Sequence, residues 1–111
     1  MTSIYDSELD RNEANYQPLT PITFLQRAAA VFPEHVAIIY GDRSICYSDF
    51  FSRCRKLASV LADRGIGRGD TVTVMLANTP AMLEVHYAVP MCGAVLHSLN
   101  TRLDAGVIAF Q

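Results

Sequence analysis

The chain has 111 residues and a single lysine, Lys56, against eight arginines. Phosphate-cradling nucleotide loops pair a lysine with a glycine-rich turn. Lys56 stands between Arg55 and Leu57 instead, so these residues alone supply no ATP loop. Cysteine is sparse as well: Cys46, Cys54 and Cys92 are odd in number and show no CxxC spacing. That favours reduced, structural thiols over a disulfide framework, so the expected compartment is the cytoplasm. The amino terminus has no basic segment followed by an apolar run, and no secretory leader is expected. No uninterrupted apolar stretch approaches the roughly 18 residues of a membrane span. Net charge is only −2. Neither nucleic acid nor an anionic membrane is therefore an expected partner.

What is present is globular in character. Half the residues are hydrophobic and 18% are charged. The length allows at most one domain with a modest core. Charge is unevenly placed. Residues 1–17 hold Asp6, Glu8, Asp10 and Glu13 against Arg11, whereas residues 18–111 are close to balanced. The first segment reads as an acidic, extended arm. Ile4, Tyr5, Leu9 and Tyr16 are its candidates for docking into a groove.

The strongest pattern runs from Thr71 to Asn100. A β-branched run from Thr71 to Leu76 precedes Asn78-Thr79-Pro80, a capping candidate followed by proline at the first helical position. About three turns of mostly apolar residues follow, then a second apolar run at Ala94-Val95-Leu96. Strand, helix and strand in this order predict a parallel βαβ unit. The helix is apolar nearly all round, so burial on more than one side is expected. Pro90 should kink or end it, and Gly93 should turn the chain into the strand.

Upstream, Thr20 and Pro21 open a first helix with Phe24, Leu25, Ala28, Ala29 and Phe32 on its apolar face; Pro33 ends it. Val36 to Tyr40 and Ser44 to Tyr47 form a hairpin around Gly41-Asp42-Arg43. Ser48 is the expected cap of a second helix, with Asp49 in its first turn. Its stripe is Phe50, Cys54, Leu57, Ala58 and Leu61, its last turn holds Arg64, and Gly65 stops it. After the βαβ unit, Asn100 or Thr101 is the expected cap of a last helix that would bury Leu103, Val107, Ile108 and Phe110. The pattern is still running at Gln111, so an incomplete chain is the expectation.

Candidate chemistry is thin. Gly65 to Asp70 is glycine-rich but follows a helix and opens a strand, the reverse of a phosphate loop. A helix stop with a turn is the better reading. His35, His86 and His97 show no metal-ligand spacing, and each reads as a partly buried structural histidine. His97 is placed just past the carboxyl end of a predicted parallel strand, where ligands gather in open α/β sheets. Cys92 sits in an apolar setting, and Ser48 and Ser98 lack a nucleophile elbow. At Asn78-Thr79-Pro80, ordinary capping outweighs anion binding, because no glycine allows close backbone approach.

Taken in order, several stretches resemble the amino-terminal part of an adenylate-forming acyl-CoA synthetase, the AMP-dependent synthetase/ligase family. They are Thr23-Phe24-Leu25 through Val31-Phe32-Pro33, Ala37 to Arg43, and Ile45-Cys46-Tyr47-Ser48-Asp49-Phe50. The likeness continues through Gly65 to Val74, Ala77 to Pro80, Pro90 to Leu96, and Leu99-Asn100-Thr101-Arg102-Leu103. The resemblance implies an α/β fold class: a partial amino-terminal subdomain with a β-hairpin and a parallel βαβ unit. Residues 1–17 would be the acidic arm and 18–111 an incomplete acyl-activating domain. It also implies activation of a fatty or aromatic carboxylic acid by ATP to an acyl-adenylate, followed by transfer to coenzyme A.

The resemblance further implies that ATP, magnesium and coenzyme A serve the parent enzyme and that none binds this segment alone. The family's Ser/Thr/Gly-rich phosphate loop, Thr-Glu magnesium pair, ribose-binding aspartate and carboxy-terminal lysine do not occur here. No catalytic, cofactor-binding or metal residue is carried over, and the segment is expected to be scaffold. A small non-catalytic α/β binding module and an interaction-only remnant are the alternatives.

Overall fold

The computed structural model describes Ser7, Glu8 and residues 10–111. The docking candidates Ile4, Tyr5 and Leu9 lie outside the described residues. Tyr16 is exposed, and the Arg11 guanidinium stacks over its ring at 3.4 Å.

Helix α1 spans Pro21–Val31. Thr20 and Thr23 build its start reciprocally: the Thr23 N–H donates to the Thr20 hydroxyl, and the Thr20 N–H donates to the Thr23 hydroxyl. Two amide donors that the helix cannot use are thereby satisfied. Leu25 is buried and Ala28 and Ala29 half-buried, but Phe24 and Phe32 stay exposed. The expected apolar face is thus only partly covered, because Leu25 alone reaches the core.

Strands β1 (Val36–Tyr40) and β2 (Arg43–Cys46) form an antiparallel hairpin closed by the two-residue turn Gly41–Asp42. The second strand therefore begins at Arg43, one residue before the expected start, and ends at Cys46. Tyr47 already belongs to α2, Tyr47–Asp63. Cys46 is the residue before the helix, and no side chain caps it; Ser48 lies inside the first turn and is not the cap. The loop before β1 explains the shift: the Tyr47 N–H donates to the His35 carbonyl and the Ser48 N–H to the Pro33 carbonyl, so backbone does the work of a cap.

Helix α2 and helix α3 (Pro80–Met91) pack along each other and divide the core. On one side Leu25, Ile38, Ile45, Phe50 and Cys54 form a buried cluster; on the other Val85, Val89 and Ala94 do. Burying a side chain such as Leu25 or Phe50 contributes roughly 1.5–3 kcal/mol. The two helices end alike. Beyond α2, the Gly65 N–H donates to Ala62 and the Ile66 N–H to Leu61; beyond α3, Gly93 donates to Pro90 and Ala94 to Val89. Gly65 and Gly93 stand at φ +83° and +76°, a left-handed conformation that side chains disfavour. Pro90 falls in the last turn and α3 runs one residue past it. There its missing N–H removes the bond that would close on the His86 carbonyl, and the helix ends one residue later.

Strands β3 (Thr71–Val74) and β4 (Val95–Ser98) pair in parallel, Thr71 opposite Val95 and Val74 opposite Ser98. The βαβ unit stands, with both strands displaced from expectation: β3 stops before Met75, and β4 extends to Ser98. Val72, Val74 and Leu96 pack against the α3 cluster, whereas Val95 and Met75 are exposed. The last helix, α4, is Ala105–Phe110. Asp104 caps it, its carboxylate accepting the Val107 N–H at 3.0 Å, so neither Asn100 nor Thr101 is the cap. The expected burial is not found either. Leu103 and Ile108 are half-buried, Val107 is exposed, and Phe110 is 91% exposed, because no element among the described residues covers that face.

Candidate functional site

The parallel strands point their carboxyl ends at one place. Beyond Val74 the chain leaves β3 through Leu76 and Ala77, and the Thr79 N–H donates to the Ala77 carbonyl. Pro80 then starts α3 with φ preset for a helix. Thr79 is the residue before the helix, and the expected side-chain capping is not found there. Beyond Ser98 the Leu99 N–H still bonds the Val74 carbonyl at 2.9 Å. The chain then turns, held by Asn100 Oδ1, which accepts the Arg102 N–H at 3.0 Å. Between these exits lies an open crevice of about 550 Å³. Asn78, Met82, Ser98, Asn100, Thr101 and Arg102 line it.

The position is the one that the strand topology of open α/β sheets favours for ligands. The amino end of α3 contributes partial positive charge. Arg102 adds a full one, and no carboxylate pairs with it among the described residues. The lining contains no histidine, cysteine or carboxylate, so the hydroxyls of Ser98 and Thr101 have no base beside them. The crevice can seat and orient a polar or anionic group. It holds no proton-transfer machinery.

The other singled-out residues lie elsewhere. His97 is inside β4 and half-buried, not beyond the strand's end. Its Nδ1 is 3.4 Å from the Thr73 hydroxyl across the ladder. His35 is exposed and stacks on Tyr47, the ring centroids 6.3 Å apart. His86 is also exposed, and its Nδ1–H donates to the Met82 carbonyl one turn back at 2.7 Å. Two of the three histidines are thus at the surface, where partial burial was expected. Gly65 to Asp70 forms a turn closed by Asp70, whose carboxylate accepts the Gly67 N–H at 2.8 Å. Cys92 is half-buried and donates its thiol hydrogen to the Ala58 carbonyl. Lys56 lies mid-way along α2 beside Ser52, Arg55 and Ser59.

One polar pair escaped the reading of the sequence. Glu84 on α3 is buried and bonded to Arg53 on α2. The bond to Glu84, and then its charge, hold the Arg53 guanidinium above its usual pKa. Cys54 is wholly buried beside the pair. Burial first, and the Glu84 charge second, push its thiol up to about 12. That thiol stays protonated and unreactive near neutrality.

Magnesium and a nucleotide triphosphate, implied by the resemblance, do not fit these residues. No three His, Cys, Asp or Glu side chains converge among the described residues, and Lys56 adjoins no glycine loop.

Comparisons with known proteins agree on a family. A family model described as AMP-binding enzyme matches residues 25–111. An acetate/butyrate–CoA ligase of Arabidopsis thaliana is 50% identical over 93% of this chain and 18% of its own length. A benzoate–CoA ligase of the same plant is 50% identical over 87% of this chain and 17% of its own. An o-succinylbenzoate CoA synthetase of Bacillus subtilis has been solved with its acyl-adenylate intermediate. Its TM-score is 0.73 at 29% identity, over 79% of this chain and 23% of that one. The same synthetase with ATP and magnesium gives a TM-score of 0.74 at 29% identity, over 86% and 25%. The chain thus spans less than a fifth of the curated relatives it matches.

Proposed function

The chain belongs to the AMP-binding enzyme family, and from that premise we propose that it is leading scaffold of an acid–CoA ligase. In this reading residues 18–111 are an incomplete amino-terminal part of the acyl-activating domain, and residues 1–17 are an acidic arm. The enzyme joins a carboxylic acid to ATP, releases pyrophosphate, and transfers the acyl group from the adenylate to the thiol of coenzyme A. The observation that carries this is the 50% identity to acid–CoA ligases across nearly the whole chain. Acetate, butyrate and benzoate in those relatives' names support a small aliphatic or aromatic acid as substrate class, within fatty or aromatic acid metabolism.

The chain's own contribution is architectural. The α2–α3 pair holds the β3–β4 unit, and the strand ends open a crevice that seats polar groups without transforming them. The proposed compartment is the reducing cytoplasm, supported by three free thiols. Several relatives are named as peroxisomal, so a fluorescent fusion of the complete gene product discriminates between the two.

The test is acid-dependent exchange of labelled pyrophosphate into ATP. The product of the complete reading frame is assayed with acetate, butyrate, benzoate and a long-chain acid, and the 111-residue chain is assayed beside it. Exchange by the first and none by the second is expected. Exchange by the isolated chain overturns the scaffold role, and silence of the complete product with every acid overturns the ligase reading.

A further inference from the structure

We draw no further inference here: the strongest candidate, the apolar groove of about 250 Å³ between β1 and the amino end of α3 lined by Ile39, Tyr40, Pro80 and Leu83, carries nothing because nothing in the structure shows what covers it.

Discussion

Arg53 and Glu84 tie α2 to α3 through two contacts, Nε to Oε1 at 2.5 Å and Nη2 to Oε2 at 3.4 Å. The arginine side chain is 52% exposed and the glutamate only 9%. That asymmetry decides what each substitution does. Arg53→Met strands a buried carboxylate, whereas Glu84→Met releases an arginine that water can solvate. Hydrogen exchange of α3 amides in Arg53→Met is expected to lose about tenfold protection, on the order of 1–2 kcal/mol. Glu84→Met should lose less, and the double variant should recover most of it. Equal losses in both single variants, added together in the double, would show that the pair is uncoupled.

Cys54 gives a pH dependence of defined sign. Its thiol is raised to about 12, so above the ordinary thiol range the unfolded chain releases a proton that the folded chain keeps. The associated stability is fully present below about pH 8.5 and is lost as pH rises towards 12. In native protein at pH 8, Cys46 and Cys92 should react with a thiol reagent well before Cys54, since both are only half-buried. Glu84→Gln removes the second contributor and should bring the Cys54 pKa down. Measuring labelling rate against pH checks both expectations; fast labelling of Cys54 at neutrality contradicts them.

Gly93 and Gly67 should respond differently to alanine. Gly93 has φ +76°, and an added Cβ would sit 3.6 Å from the Arg68 Cβ, so the cost is conformational and not steric. Alanine there is expected to destabilise by about 1–2 kcal/mol. Gly67 is not in the left-handed region and has open space, so Gly67→Ala should lie within about 0.5 kcal/mol of the parent. Loss of β4 amide protection in Gly93→Ala but not in Gly67→Ala is the readout. Equal effects would mean that the α3 terminus does not depend on its left-handed residue.

The isolated chain should melt without a sharp two-state transition. Its core is split into two small clusters, and Ile39, Val95 and Phe110 are 75%, 59% and 91% exposed. Urea titrations followed by far-ultraviolet dichroism and by tyrosine fluorescence are expected to diverge. Coincident, steep and reversible curves would refute this and favour a free-standing module.

Local signals were legible in the sequence where one stretch of chain settles the outcome. Thr20 with Pro21, Gly65 and Gly93 each mark a helix end by its own chemistry, and all three were placed correctly. The α2 stripe was likewise readable, because its period belongs to the helix alone. What escaped depends on a second element. The Arg53–Glu84 pair joins two helices, and neither helix alone announces it. Ser48 looked like a cap until the loop before β1 supplied carbonyls. The apolar side chains of α4 looked buried, but burial needs a neighbour, and no element among the described residues covers Phe110. His97 moved into β4 because parallel pairing carried the strand through Ser98, past the last apolar residue of the run. The crevice was only half visible: the strand-end rule pointed to its edge, but Asn100 and Arg102 join it through a turn that no periodicity announces.

The two ladders differ in how long each must wait for its partner. Tyr40 meets Arg43 across the hairpin almost as soon as both exist, whereas Thr73 and His97 are 24 residues apart in the chain. At about 5–20 residues per second, a ribosome delivers that stretch over roughly 1–5 s. A hairpin closes within about 1–10 μs, so β1 and β2 can meet many times over within that interval. Strand β3 cannot meet its partner: Val72 and Val74 emerge with neither β4 nor the α3 cluster to receive them. During synthesis the vulnerable segment is thus the first strand of the βαβ unit, and a chaperone that binds short β-branched runs would find it there.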